Sequence, residues 1–282
     1  MPIGAHVSTA GGLSTSVGRA QAIGAECMQL FLCSPHRWQL PRHTDEEVER
    51  FTSLVSDSGV GPNFAHAAYL LNLASDDEAL RERSIDNVVA CCTWAARCGL
   101  AGLVVHVGSG RGQPIEDAER QVASALERVF SHTDTPVLLE NSAGSGDTLG
   151  ARLEQIGSVI ERLGRDPRLG LCLDTAHTFA SGYDLRTQQG LEQVVDEVDR
   201  FVGFERLKVI HANDSKAGLG SAVDRHADIG QGLLGEAAFE RMLAHPRLAD
   251  LPWVLEVPGA DKKGPDEPNV RALKRLAGRA VA

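Results

Sequence analysis

The sequence predicts an α/β fold, a single closed (β/α)8 TIM barrel, and three observations carry that prediction. Short apolar runs alternate along the whole chain with longer segments of helical periodicity, and such alternation specifies a parallel sheet. Eight runs and eight helical segments can be counted, which is what a closed barrel of this kind requires. Most of the apolar runs end on a histidine or a carboxylate.

Taken in order, IGAHV at 3–7 leads to a helix at 13–23 that stops at Gly24. CMQLFL at 27–32 leads to a helix at 45–56, and PNFAHA at 62–67 to one at 77–98, stopped by Gly99. GLVVHVG at 102–108 precedes a helix at 116–130, and PVLLEN at 136–141 one at 149–163, stopped by Gly164. LGLCLDT at 169–175 precedes a helix at 191–202 that stops at Gly203. LKVIHAND at 207–214 and PWVLEVP at 252–258 precede helices at 236–244 and 269–276. Glycine at these stops suits the left-handed residue that closes a helix. The sixth run is apolar without interruption until Asp174, the pattern of a strand buried on both faces. With no linker, low-complexity tract or charge block, residues 1–282 read as one domain.

At 282 residues and 43% hydrophobic, the chain can bury a large core. Its start, MPIGAHVSTAGG, lacks a basic segment followed by an apolar one, and no run approaches the ~18 apolar residues of a membrane span. A cytoplasmic protein with no membrane partner is expected. The six cysteines show no CxxC spacing and sit mostly inside apolar elements, as reduced core thiols do. A net charge of −10 argues against holding nucleic acid through overall basicity.

Chemistry in such a barrel gathers at the C-terminal ends of the strands. There the third run delivers His66, the fourth His106, the fifth Glu140 and the sixth Asp174, with His177 in the turn that follows. The seventh delivers His211 and the eighth Glu256. Asp224 and His226, two apart in the loop after the seventh, point the same way if the backbone is extended. One such histidine alone would read as a hydrogen-bonded core residue. Nine convergent nitrogen and oxygen donors read as a metal site.

His36, His43, His132 and His245 fall in loops or at helix ends, where solvation accounts for them, and His6 is left between a rim and a structural role. Nine ligands exceed what one ion can use. With imidazole dominant and no thiolate, zinc is favoured over magnesium or calcium, with manganese and iron as alternatives. Three ions at about three ligands each, one carboxylate bridging, leave positions open for water and substrate, which marks catalysis. They would bring the formal charge from −10 to −4 and concentrate positive charge in the cleft, an attractor for a phosphodiester.

GAHVSTAGG at the start, HAAYLLNLAS around His66, VVHVGS around His106, LLENSAG around Glu140 and LCLDTAHTFASGYD around Asp174 resemble successive motifs of the endonuclease IV family of apurinic/apyrimidinic (AP) endonucleases, and HANDSKAGLGSAVDRHADIGQG from His211 and LEVP at Glu256 continue the series. The resemblance spans nearly the whole chain. It implies a monomeric trinuclear zinc enzyme, tolerant of manganese, that cuts duplex DNA 5′ to an abasic site. The products would be a 3′-hydroxyl and a 5′-deoxyribose phosphate, and blocked 3′ ends would be trimmed as well. By position, His66, His106 and Glu140 hold one ion, and Glu140 bridges to a second held by Asp174, His211 and Glu256. His177, Asp224 and His226 hold the third. A hydroxide bridging zinc ions is the implied nucleophile, oriented by Glu140.

The resemblance also makes Tyr69 the wedge that enters the gap left by the missing base. Before Trp38 the family usually carries Asn-Pro-Arg or a similar arginine-containing run, whereas this chain reads Ser34, Pro35, His36, Arg37. Either Arg37 acts one position later or His36 replaces the arginine. Lys216 and Arg225, flanking ligands, are candidate phosphate contacts or solvated loop charges. Two alternatives stand beside this reading: a metal-dependent sugar isomerase or epimerase on the same barrel, and a non-catalytic metal- or DNA-binding module.

Overall fold

The computed structural model describes residues 1–280. In chain order the elements are β1 (Ile3–His6), α1 (Ser14–Ala22), β2 (Met28–Phe31), α2 (Asp45–Ser58), β3 (Asn63–His66), α3 (Glu78–Arg97) and β4 (Leu103–His106). There follow α4 (Ile115–Phe130), β5 (Val137–Glu140), α5 (Leu153–Arg162), β6 (Leu169–Asp174), α6 (Thr175–Ala180), α7 (Gln188–Glu197) and β7 (Leu207–His211). The chain ends through β8 (Asp214–Ser215), β9 (His226–Ala227), α8 (Glu236–Leu243), β10 (Trp253–Leu255) and α9 (Glu267–Leu276). Eight of the strands form a closed parallel barrel in the order β1-β10-β7-β6-β5-β4-β3-β2. The predicted (β/α)8 fold is therefore the observed one.

Four details depart from the sequence reading. The seventh apolar run breaks after His211, and its tail, β8, pairs antiparallel with β9, Ser215 opposite His226. The stretch 191–202 divides into α7 and a wider π-turn at Val198–Val202, and His177 lies on a short helix, α6, instead of a plain turn. His43 and His245 are not solvated: His43 Nε2 lies 2.9 Å from the Leu32 carbonyl, and His245 is 9% exposed beside Glu192. Among the described residues no helix is long and apolar enough to cross a membrane.

The strand period of two organises the interior. Cys27, Phe64, Val104, Leu138, Cys172, Val209 and Val254 form an apolar cluster separate from the larger core between sheet and helices. Two residues further along the same strands stand Gln29, His66, His106, Glu140, Asp174, His211 and Glu256. One apolar plug thus carries one polar layer, and the polar layer faces the mouth. In β1 the plug position is Gly4, where a Cβ would lie 1.8 Å from the Cys27 carbonyl oxygen.

Candidate metal centre

The polar layer gathers its donors into three overlapping groups. His66, His106 and Glu140 bring ligand atoms within 4.8 Å of one another, as do Glu140, Asp174, His211 and Glu256, and Asp174, His177 and His226. Glu140 is fully buried and splits between two of them. Its Oε2 lies 3.1 Å from His66 Nε2 and 3.7 Å from His106 Nδ1, whereas Oε1 lies 3.1 Å from His211 Nδ1 and 3.4 Å from His177 Nδ1. Asp224 is half exposed, with its two oxygens each 3.2 Å from an imidazole nitrogen, one of His177 and one of His226.

Local sequence explains the Asp174 to His177 spacing. Asp174 is the N-cap of α6, and its Oδ1 accepts the backbone N–H of His177 at 2.7 Å. A cap and its third helical residue are three positions apart, so the turn that satisfies the helix start also aims His177 inward. The other oxygen, Oδ2, accepts from Asn213 Nδ2 at 2.6 Å. Asn213 accepts the Glu256 N–H through Oδ1 at 2.8 Å, and Asn141 accepts the Asp174 N–H at 2.6 Å.

Each of four histidines ties one ring nitrogen to an oxygen that only accepts. His66 Nδ1 meets the Ala67 carbonyl at 2.7 Å, His177 Nδ1 the Asn141 carbonyl at 3.0 Å, His226 Nδ1 the Glu256 carbonyl at 3.4 Å and His211 Nε2 the Gln29 Oε1 at 2.9 Å. That bond fixes the tautomer and leaves the other nitrogen with a lone pair. These remaining nitrogens face Glu140, Asp224, Asp174 and Glu256. A lone pair set against a carboxylate repels unless a cation or a proton stands between them. The donor chemistry therefore fits metal ions, and His226 Nε2, buried with no hydrogen bond although Asp224 is close by, fits them too.

The titration behaviour has the same origin. Burial disfavours the charged form of every ring and prevails at His106 and His6, which it lowers. At other rings neighbouring carboxylates outweigh it: Asp174, Asp224 and Glu140 hold His177 well above the ordinary range. Glu140 raises His66, and Asp174 with Asp224 brings His226 to about 9. Despite their burial, Glu140 is held well below the usual carboxylate range by His106, His211 and His177, and Glu256 by His211 and His6. Protons and metal ions compete for the same nitrogens here.

One member of the layer, Gln29, escaped the sequence reading, and a second, His6, was left open by it. Gln29 donates to Glu256 Oε1 at 2.6 Å while its oxygen faces His211. Its signal was available, as the single polar residue in CMQLFL, two positions after a plug residue. His6 faces the rim, its Nδ1 3.1 Å from Glu256 Oε1 and 3.0 Å from Gln29 Nε2. Around the mouth Tyr69 is 51% exposed, its ring centre 5.5 Å from that of His36, 5.8 Å from His66 and 6.1 Å from His106. Arg37, Lys216 and Arg225 are exposed, and Arg225 donates to the Asp224 carbonyl at 2.8 Å.

The profile of the family described as Xylose isomerase-like TIM barrel matches residues 17–277. A relative from Methanoculleus marisnigri, described as a probable endonuclease 4, is 38% identical over 98% of this chain and 99% of its own. The crystal structure of endonuclease IV from Thermus thermophilus superposes with a TM-score of 0.87 at 36% identity, covering 99% of this chain and 100% of that one. A D-tagatose 3-epimerase-like protein shares the fold alone, with a TM-score of 0.70 at 17% identity, covering 99% of this chain and 96% of that one. With full-length likeness in sequence and structure alike, the chain belongs to the endonuclease IV family, the deoxyribonuclease IV-type AP endonucleases.

Proposed function

We propose that this chain is a zinc-dependent DNA repair enzyme that hydrolyses the phosphodiester 5′ to an abasic site, leaving a 3′-hydroxyl and a 5′-deoxyribose phosphate. In this reading it also trims blocked 3′ ends. The observation that carries the proposal is the set of tautomer-locked imidazoles whose lone pairs face carboxylate oxygens. His66, His106 and Glu140 would hold one ion and Glu140, Asp174, His211 and Glu256 a second. His177, Asp224 and His226 would hold a third, with Asp174 in reach. When bound, the ions would supply a water acidified to near neutral pH and positive charge for the phosphoryl oxygens.

The chain's own residues do the positioning. Gln29, His6 and Asn213 fix the carboxylates at the angles their hydrogen bonds dictate, so little reorganisation is left for the reacting state. Tyr69 stands exposed beside the metal centre and would fill the gap in the base stack, with His36 against its ring. Arg37, Lys216 and Arg225 would meet backbone phosphates of the duplex. Six unpaired cysteines suit a reducing cytoplasm. In this reading the enzyme acts as a monomer and as one domain, the latter supported by the ion pairs that join its first and last elements.

The test is a duplex carrying one tetrahydrofuran abasic analogue, incubated with and without a strong zinc chelator. The expected product is a single nick 5′ to the lesion with an extendable 3′ end. Chelation should abolish it, and Glu140→Gln should reduce the rate by roughly 10²–10³-fold or more. Cleavage on the 3′ side by elimination would refute hydrolysis.

A further inference from the structure

Next to the metal centre the rim opens into a cleft of about 340 Å3 whose lining includes Tyr69, Asn72, His106, Ser109, Arg111 and Thr148. Arg111 lies between β4 and α4. It is exposed, and among the described residues its guanidinium makes no ion pair and no hydrogen bond. The arginines of the larger groove between α4 and α5 differ, because Arg120 pairs with Asp117, Arg162 with Glu119 and Arg168 with Asp166. The charge in the cleft is therefore uncommitted on a protein whose net charge is −10.

The base of that side chain is held firmly. Asn72 is 7% exposed and forks onto Ser109, its Oδ1 accepting the Ser109 N–H at 2.9 Å and its Nδ2 donating to the Ser109 carbonyl at 2.9 Å. Gly110 N–H donates to the Asp147 carbonyl at 2.9 Å, and Ser109 bridges to Thr148. Arg111 itself sits in the left-handed region at φ 47°, a conformation that a side chain adopts only where its surroundings impose it. Gly108 must be glycine, since its φ is 105° and a Cβ would come 2.4 Å from Asn72 Oδ1. A fixed backbone and a free planar guanidinium, facing the same cleft as Tyr69 and His106, make a socket for a phosphate.

We propose that Arg111 seats a non-reacting phosphodiester of the substrate strand, next to the one presented to the metal centre, and so selects a continuous nucleic-acid strand over a small phosphate ester. The inference rests on the nuclease reading above. The experiment measures binding of a labelled duplex with one tetrahydrofuran site across a series of salt concentrations, and steady-state cleavage of the same duplex. At 0.1 M salt, Arg111→Ala should weaken binding roughly eightfold and make the slope of log K against log salt shallower by about 0.9. The loss in kcat/KM should fall on KM. Arg111→Lys should recover the slope but not the full affinity, and Arg120→Ala in the outer groove should match the unmodified protein. If the protein binds and cleaves while Arg111→Ala matches it in affinity and slope, this inference alone is overturned. If the unmodified protein neither binds nor cleaves, the nuclease reading falls and takes this one with it.

Discussion

Every imidazole at the mouth of the barrel has two nitrogens, and what the second one touches decides what the first can do. His211 shows this most clearly, because Gln29 Oε1 accepts from its Nε2 and leaves Nδ1 3.1 Å from both Glu140 and Glu256. Gln29→Leu keeps the volume but removes that acceptor together with the donor to Glu256. The variant should fold with an unchanged circular dichroism spectrum yet bind zinc about 10–100-fold more weakly, read by competition with a chelator of known affinity. The donor-bearing side chains were legible in the sequence because histidines and carboxylates at the ends of apolar runs are costly without a partner. Gln29, Asn141 and Asn213 were not, because a neutral amide is common at buried positions and nothing local says which two groups it joins. Which of His36 and Arg37 would meet DNA on the proposed reading is a matter of loop conformation, which composition does not encode.

Among the elements, the loops after the strands carry more of the design than the helices. Helix starts follow familiar chemistry: Thr44 and Glu47 form a reciprocal cap on α2, and Asp77 and Thr187 cap α3 and α7. The alternating apolar runs and glycine stops such as Gly99 and Gly164 made the element order readable, whereas the β8–β9 ribbon was hidden. Its two strands are only two residues each, too short for any periodicity to register. What holds the segment behind it is Asp214, a fully buried carboxylate that accepts the backbone N–H groups of Gly230, Gly232 and Leu234 at 3.0 Å each. Gly232 has to lack a side chain, since a Cβ there would lie 2.3 Å from Asp214 Oδ1. Gly232→Ala should therefore cost about 2 kcal/mol in urea unfolding, as overpacking of a filled site does, and should lower zinc uptake, because the same loop brings Asp224 and His226 to the centre.

At the scale of the whole molecule, the two ends of the polypeptide meet at Glu26, just before β2. Its carboxylate accepts the Ile3 N–H at 3.1 Å from the first strand and pairs with Lys274 at 3.0 Å and Arg279 at 2.5 Å near the last helix. Partial burial pushes its pKa up, but Arg279, the Ile3 N–H and Lys274 outweigh this and bring it down to about 2 from an ordinary 4.5. Because the folded value is the lower one, the stabilisation is complete above about 4.5 and fades as the pH falls towards 2. The melting temperature of the metal-free protein should therefore exceed that of Glu26→Gln at pH 6, and the gap should close across that acidic window. A gap that stays constant with pH would mean the carboxylate charge is not what joins the ends. Such long-range pairing could not be read from the chain, whereas the barrel itself could, since it follows from a repeated local pattern. Beneath the ligands, the seven packed side chains from Cys27 to Val254 leave no passage through the cylinder. On the proposed reading, cations would be loaded or lost only by the door through which a duplex arrives, so a seated substrate would double as the lid that keeps them in place.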